Sequence, residues 1–112
     1  MVSLPPLTEF EHMVLFVVAA LGDDAYGMRV RKRLAQRSGR DAPIATVYAA
    51  LERLEQRELL SSRLGDPTPE RGGRAKRYYR IEPPGVQALA GYRDLLSNFW
   101  RDLDRVLDRV TS

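Results

Sequence analysis

Residues 43–64 have the sequence PIATVYAALERLEQRELLSSRL, and within this stretch the hydrophobic pattern changes from that of a helix to that of a strand. In the first part, apolar residues recur at intervals of three and four, which predicts a helix over residues 43–57 that begins with Pro43. These apolar residues are Ile44, Val47, Leu51 and Leu54. Segments 59–64 and 75–81 then predict two strands joined by a turn rich in Gly and Pro. A helix followed by a long hairpin therefore decides the fold.

The predicted helix over 43–57 has an unusual outward face. Opposite the apolar positions, its N-terminal half carries the small side chains of Ala45, Thr46 and Ala49. The outward face of a helix usually carries charged and polar residues in contact with water. We therefore expect this face to approach another molecule closely.

Two further helices are predicted before this one. Thr8 and Glu11 have the spacing of a capping box, which predicts a first helix that ends at Gly22. Asp24 is expected to cap a second helix, from about residue 25 to residue 37. Three helices followed by a hairpin is the element order of a winged helix-turn-helix, which places one helix in the major groove of DNA.

The last part of the chain predicts one long helix, from residue 84 to residue 110, opened by Pro83 and Pro84. Its apolar residues recur at alternating intervals of three and four, as in a coiled coil, and Trp100 widens the stripe. The predicted dimerisation residues are Leu89, Tyr92, Leu96, Phe99, Trp100, Leu103, Val106 and Val110. The predicted fold is thus mainly α with a small β-hairpin, with a DNA-binding domain over 1–82 and a C-terminal dimerisation helix over 83–112.

Composition excludes several classes of protein. The 112 residues include no Cys and one His, so neither a disulfide framework nor a Cys- or His-rich metal site is expected. No catalytic triad or phosphate-binding loop is found, and we expect neither an enzyme nor a cofactor. The longest apolar run, residues 13–21, is too short to cross a membrane, and no signal peptide precedes it, so a cytoplasmic protein is expected.

The positive charge is concentrated in two blocks. Residues 29–40 carry six basic residues and no acid, and residues 63–80 carry six basic residues against two acids. Basic clusters of this kind are typical of surfaces that bind polyanions.

Several motifs together resemble the PadR-like transcriptional regulators. The resemblance covers about residues 7–89, and its most specific part is the Gly-rich basic segment that runs into two tyrosines. The motifs are Leu7-Thr8 with Glu11-His12, the Asp24-Ala25-Tyr26-Gly27 turn, Thr46-Val47-Tyr48 with Leu51 and Arg53-Leu54-Glu55, and the segment from Arg71 to Tyr79. The resemblance implies a homodimeric winged-helix regulator of the short subgroup, in most members a repressor, bound to a palindromic operator in double-stranded DNA.

The resemblance and the charge pattern together give a set of candidate contacts. The helix over 43–57 is expected in the major groove, and the wing over 64–77 on the phosphates. The candidate DNA-binding residues are Ala45, Thr46, Tyr48, Ala49, Arg53, Arg71, Arg74, Lys76 and Arg77. Tyr48 is equally compatible with packing against the second helix. Some members of the family bind flat aromatic compounds between their subunits, so Tyr92, Phe99 and Trp100 form either a candidate effector pocket or dimer packing.

The sequence departs from the family pattern at several sites, among them Glu58 and Glu82, and Ile44 is bulkier than usual before the Thr-Val-Tyr element. Glu58 stands where a Gly often follows the third helix, and since a Glu with positive φ is strained, we expect this helix to end differently. Glu82 replaces a better N-cap residue before the last helix. Two other functions stay open, namely an RNA-binding accessory protein and a coiled-coil interaction adaptor built on a winged-helix scaffold.

Overall fold

A computed structural model describes residues 5–66 and 75–112 and has the predicted order of elements. The helices are α1 (Glu9–Leu21), α2 (Gly27–Ser38), α3 (Ile44–Gln56), α4 (Pro83–Trp100) and α5 (Leu103–Thr111), and the strands are β1 (Leu60–Leu64) and β2 (Arg77–Ile81). A short 3-10 turn, Gly22–Asp24, follows α1. The fold is therefore a winged helix-turn-helix that continues into a C-terminal helical arm, which we define as residues 83–112. The rest of the described chain is called the body.

The core of the body lies between the three helices and the hairpin. Its largest fully buried side chains come from α1, α2, α3 and the start of β1, and they include Leu15, Val18, Val30, Leu51, Leu54 and Leu60. The predicted capping box fixes the start of α1, because Glu11 N–H donates to Thr8 Oγ1 at 3.1 Å and Thr8 N–H donates to Glu11 Oε1 at 2.8 Å. Helix α1 packs against α2, α3 and α4.

The hairpin pairs β1 with β2 in antiparallel register from Leu60 opposite Ile81 to Leu64 opposite Arg77. Both strands are shorter than predicted. In β2, Tyr79 is buried and Ile81 packs against the core. The wing's turn, residues 67–74, lies outside the described residues.

The start of α2 differs from the prediction, because Tyr26 and not Asp24 occupies the N-cap position. The physical reason is a link to the hairpin. Tyr79 N–H donates to the carbonyl of Ala25 at 2.8 Å, and Tyr26 forms an isolated antiparallel bridge with Tyr78. These contacts hold residues 25–26 extended, so the helix cannot begin there. Asp24 lies in the 3-10 turn, with Oδ2 3.1 Å from Arg29 Nε.

Glu58 has a positive φ, a strained conformation for a Glu, although the sequence predicts that the chain avoids it. Its φ is 62°, in the left-handed region. Glu58 N–H donates to the Glu55 carbonyl at 2.9 Å, and Leu59 N–H donates to the Leu54 carbonyl at 3.0 Å. This is the hydrogen-bond pattern of a Schellman motif, in which Gly is the usual residue. Helix α3 therefore ends in the ordinary way, with a Glu in the position of the glycine.

The C-terminal arm is helical as predicted, but it is divided and not continuous over 84–110. Asp102 leaves the helical conformation, with φ −105° and ψ 5°, and its N–H bonds to the carbonyl of Phe99, three residues back and not four. Aspartate favours the start of a helix over its interior, and α5 begins directly after it. Heptad spacing carries no signal for such a break.

The arm begins in close contact with the hairpin. Pro83 and Pro84 occupy the first turn of α4, as predicted. A side chain at Gly85 would collide with the carbonyl oxygen of Leu59 and with Ile81, so glycine allows this close approach. In the described part of the chain, no helix is long and apolar enough to cross a membrane.

Candidate nucleic-acid interface

The outward face of α3 is open to solvent at its N-terminal end. Ala45 and Thr46 are exposed and Ala49 is half-buried, while Val47, Leu51 and Leu54 on the opposite face are fully buried. Small exposed side chains leave the helix backbone accessible to a partner of matching shape. This end of α3 can therefore enter a groove without first displacing long side chains.

Tyr48 lies on the flank of α3 against the first turn of α2. A Cβ added at Gly27 would collide with the Tyr48 ring, so the ring packs on the glycine backbone. The side chain is nevertheless 41% exposed. Packing against α2 is thus observed, and the exposed part of the ring is accessible for a contact beside the groove.

Arg53 of α3 is bound to Glu11 of α1. Its Nε donates to Glu11 Oε2 at 3.1 Å, which joins the outward side of α3 to α1, and about half of the Arg53 side chain is exposed. Burial would raise the pKa of the Glu11 carboxyl, but hydrogen bonds from the Thr8 backbone and from Arg53 hold this pKa below its usual value. Glu11 is therefore a buried carboxylate that fixes the orientation of Arg53.

In the described part of the wing, neighbouring side chains hold both candidate DNA-binding residues, Lys76 and Arg77. Lys76 Nζ lies 4.1 Å from the centroid of the Tyr26 ring, in cation–π geometry. Arg77 donates to Ser62 Oγ at 3.0 Å, and Ser62 donates to Glu55 Oε2 at 2.6 Å. Arg71 and Arg74 lie outside the described residues.

Three further residues join the wing to α2 and were not among the predicted site residues. The rings of Tyr26 and Tyr78 meet edge to face with centroids 5.7 Å apart, and the Arg63 guanidinium lies 5.0 Å from the centroid of Tyr78. Tyr26 and Tyr78 are far apart in sequence, so no local pattern could pair them. The wing is positioned by this aromatic and cationic cluster as well as by strand pairing.

Three of the six basic residues in the block over 29–40 form ion pairs within the chain. Ion pairs join Arg29 to Asp24, Arg31 to Asp41 and Arg40 to Glu9, each with a nitrogen–oxygen distance of 3.0 or 3.1 Å. Arg31 also donates to the carbonyl of Ala42 at 2.7 Å. Arg31 and Arg40 hold the turn between α2 and α3, whereas Arg29 pairs with Asp24 just before α2, and charge counting reveals neither role.

A mainly apolar groove of about 800 Å³ runs between α1, the end of α2 and α4. We call it the α1–α4 groove, and its lining includes His12, Met13, Phe16, Leu89, Tyr92, Leu96 and Trp100. On one side of it His12 stacks on Tyr92, with ring centroids 3.7 Å apart. Of the candidate effector residues, Tyr92 and Trp100 line the groove, whereas Phe99 does not and is 73% exposed.

The candidate dimerisation residues fall into two groups. Leu89 packs partly buried against the core of its own subunit, and Tyr92 is half-buried on His12. The others are half-buried or exposed along the outer part of the arm, and they are Leu96, Phe99, Trp100, Leu103, Val106 and Val110. No residue of α5 is buried.

Comparison with known proteins decides the family. The model of the transcriptional regulator PadR-like family matches residues 14–91, which is most of the chain. The chain belongs to the PadR-like family. An uncharacterized protein of Lysinibacillus sphaericus is 31% identical to it over 90 residues, covering 79% of this chain and 76% of the relative.

Solved PadR-like structures have the same fold. A PadR-like transcriptional regulator from Bacillus cereus superposes with a TM-score of 0.71 at 17% identity, over 88% of this chain and 90% of that one. A PadR family transcription regulator from Clostridium difficile gives a TM-score of 0.61 at 24% identity, over 90% of this chain and 98% of that one. The predicted family and fold class are thus confirmed.

Membership of the PadR-like family also fixes the general class of activity. PadR-like proteins are transcriptional regulators that bind DNA, and the prediction that this chain is not an enzyme is confirmed on that ground. Among the residues that the structure describes, no cluster of three or more His, Asp or Glu side chains could hold a metal ion.

Proposed function

We propose that this PadR-like regulator is a homodimeric repressor that binds a palindromic operator, with α3 in the major groove and the wing on the phosphates. The observation that carries the proposal is the outward face of α3. Ala45 and Thr46 are exposed there. A recognition helix contacts base edges with its N-terminal residues, which is the end of α3 that these side chains occupy.

Sequence discrimination is assigned to α3. Thr46 can donate to or accept from a base edge, and the methyl group of Ala49 can contact a thymine methyl. Ala45 allows the helix to approach closely, and Tyr48 supplies a hydroxyl beside the groove. The Arg53 guanidinium keeps N–H groups beyond the one on Glu11, and these are suited to a neighbouring phosphate.

Affinity is assigned mainly to the wing. Lys76 and Arg77 are held at its base by Tyr26 and Ser62, so their side chains lose less conformational freedom when a phosphate binds. Arg71 and Arg74 stay predicted phosphate contacts. Phosphate contacts give orientation and affinity but carry no sequence information, so they complement the role of α3.

The proposal of a homodimer rests on the exposed apolar side chains of the C-terminal arm. Phe99 and Val110 are each 73% exposed and Trp100 is 61% exposed, and a contiguous apolar surface of this kind usually marks an interface between proteins. We therefore divide the chain into a DNA-binding part, 1–82, and a dimerisation part, 83–112. A twofold dimer presents two copies of α3, which explains the proposed palindromic operator.

A small aromatic effector is a second candidate partner, favoured by the α1–α4 groove. Tyr92 and Trp100 offer flat faces in a mainly apolar site. Trp100 is the only tryptophan of the chain, so its fluorescence reports on the part of the arm that lines this groove. Planar aromatic compounds should quench it and lower operator affinity in parallel. If no compound quenches while the operator still binds, the groove is packing surface.

The DNA-binding proposal is tested by placing a negative charge on the outward face of α3. Ala49→Glu adds bulk and charge at the groove and should abolish preference for an operator selected from random duplexes. A disturbed base contact costs about 1–3 kcal/mol per half-site, and the added charge should increase this loss. Fluorescence anisotropy with operator and random duplexes measures both affinities.

Two further variants keep this test interpretable. Ala45→Glu makes the same change at an exposed position, in case Ala49→Glu disturbs the fold, and thermal melting checks both. Gln87→Glu adds the same charge at an exposed position of α4 and should leave operator binding unchanged. If both α3 variants are folded and bind the operator like the parent, α3 is not the reading element. Preference of the parent for RNA hairpins would favour the RNA-binding alternative.

A further inference from the structure

We infer that His12 is a positioning residue that sets which spacing of operator half-sites the regulator accepts; this inference rests on the proposed function. The feature that carries it is the stack of His12 on Tyr92, with ring centroids 3.7 Å apart and ring planes 10° from parallel. His12 belongs to α1 of the body, and Tyr92 belongs to α4 of the arm. The stack therefore joins the proposed DNA-binding part of the chain to the proposed dimerisation part.

The imidazole ring of His12 is held in place from within α1. Its Nδ1 lies 2.9 Å from the carbonyl oxygen of Thr8. A carbonyl oxygen only accepts hydrogen bonds, so Nδ1 carries the proton and donates it to this bond. Thr8 is fixed in turn by the capping box that it forms with Glu11. The ring that stacks on Tyr92 is therefore oriented by the start of α1.

The same turn of α1 also contacts the proposed recognition helix. Glu11, the residue next to His12, accepts a hydrogen bond from Arg53 of α3 at 3.1 Å. Two consecutive residues thus reach in two directions, Glu11 to α3 and His12 to α4. The first turn of α1 therefore links the orientation of α3 to that of the arm.

Two points along α4 fix the direction in which the arm leaves the body. At its inner end α4 approaches the hairpin closely at Gly85, where an added Cβ would collide with the Leu59 carbonyl oxygen. At its outer end lies Tyr92, which is half-buried, and every side chain of α4 after Tyr92 is exposed. The two points are about 10 Å apart along the helix axis. Loss of the outer contact would leave the arm held nearer its base and free to change its angle.

In the proposed dimer, the angle between each body and its arm sets the distance and rotation between the two copies of α3. One additional base pair moves a half-site by about 3.4 Å along the duplex and rotates it by about 35°. A dimer with a rigid joint between body and arm should therefore reject such a duplex. A dimer with a loosened joint should accept it with less loss of affinity.

The test measures operator affinity as a function of half-site spacing. Fluorescence anisotropy compares the selected operator with duplexes whose centre is one base pair longer or shorter, and the affinity ratio is called the spacing ratio. His12→Ala should lower the spacing ratio by about two- to tenfold, the range expected for the loss of one aromatic pair. Affinity for a duplex with a single half-site should stay at the parental value, because α3 and the wing are unchanged.

Three further variants separate the stack from simple packing. His12→Phe keeps a flat ring and should keep the parental spacing ratio. His12→Leu keeps bulk but has no flat ring, so it should behave like His12→Ala and replaces it if the alanine variant fails to fold. Gln87→Ala shortens an exposed side chain of α4 that does not line the α1–α4 groove and should leave the ratio unchanged. Thermal melting and analytical ultracentrifugation check that each variant is a folded dimer.

The inference is overturned if His12→Ala or His12→Leu is a folded dimer with the parental spacing ratio. It is also overturned if His12→Phe loses the ratio as fully as these variants, or if Gln87→Ala lowers it equally. A fall in melting temperature with an unchanged ratio would reduce the stack to packing. Failure of the proposed function looks different, because the parent itself would then bind without any dependence on half-site spacing.

Discussion

The body and the arm use the same apolar residue types with opposite outcomes. Leu51 and Leu54 of α3 are completely buried, whereas Phe99 and Val110 of the arm are each 73% exposed. Both regions have regular hydrophobic spacing, so spacing alone does not say where a side chain is buried. The body completes its core within one chain, whereas the apolar stripe of the arm beyond Tyr92 is left largely uncovered by its own chain.

The energetic difference between the two regions is large. Burying a large apolar side chain contributes about 1.5–3 kcal/mol relative to leaving it in water. In the proposed dimer, covering the exposed aromatic and aliphatic residues of the arm with a second subunit would therefore add stabilisation. The body should be stable without this contribution, because its core residues come from α1, α2, α3 and the hairpin.

The largest effect is expected when charges are placed on the exposed apolar residues of the arm. Leu96→Asp combined with Leu103→Asp places two charges in the proposed dimer seam, and each buried unpaired charge costs several kcal/mol. Analytical ultracentrifugation should show a monomer, while circular dichroism should show that the body keeps its helices. Gln87→Asp with Asn98→Asp adds the same charges at exposed polar positions and should stay dimeric. A folded dimer in the first variant would exclude the arm as the interface.

An intermediate effect, on the stability of the body, is expected when the buried carboxylate of Glu11 is removed. The pKa of Glu11 is held below its usual value, so its carboxylate stabilises the fold above the unfolded pKa of about 4.3, and this contribution is lost as the pH falls through the folded pKa. Glu11→Gln should lower the free energy of unfolding by about 1 kcal/mol at neutral pH, a modest value because Arg53 is half exposed. The two proteins should become equally stable in acid.

Urea denaturation at about pH 7 and at about pH 3 measures this convergence. Glu9→Gln is a suitable control, since the Glu9 carboxylate is exposed in its pair with Arg40 and should matter little at either pH. A constant difference between Glu11→Gln and the parent across the pH range would show that its cause is not the ionised carboxylate.

The smallest expected effect is a gain in stability at the end of α3. Glu58→Gly removes the strain of a side chain at φ 62° and should raise the free energy of unfolding by about 0.5–1 kcal/mol. Glu58→Ala keeps the Cβ atom and should show no comparable gain. Thermal melting separates the two variants, and the oligomeric state should be unaffected in both. A loss of stability in Glu58→Gly would mean that the Glu58 side chain makes a stabilising contact.

Much of the fold could be predicted because its signals are local. The Thr8 capping box, the prolines that open α4 and the period of α3 each depend on residues within a turn or two of one another. The outward face of α3 could be predicted on the same basis. Glu58 is an instructive exception, since the local rule identified the strain correctly but not that the Schellman hydrogen bonds would form in spite of it.

The remainder depends on residues that meet only in the folded chain. Arg53 and Glu11 are 42 positions apart, so a residue predicted to bind DNA proved also to be part of the packing between α1 and α3. Tyr26 is held extended by Tyr78 and Tyr79, which moved the start of α2. The break at Asp102 interrupts an apolar pattern that continues across it, so periodicity could not reveal it.

One hydroxyl group, of Ser62, joins the proposed reading helix to the wing, because it donates to Glu55 of α3 and accepts from Arg77. The two proposed DNA contacts are thus coupled mechanically, at a fixed separation. A duplex whose groove width does not match that separation must deform to satisfy both, at an energy that depends on its stacking and flexibility. Base steps that no side chain touches would then contribute to operator choice, through the stiffness of the DNA itself.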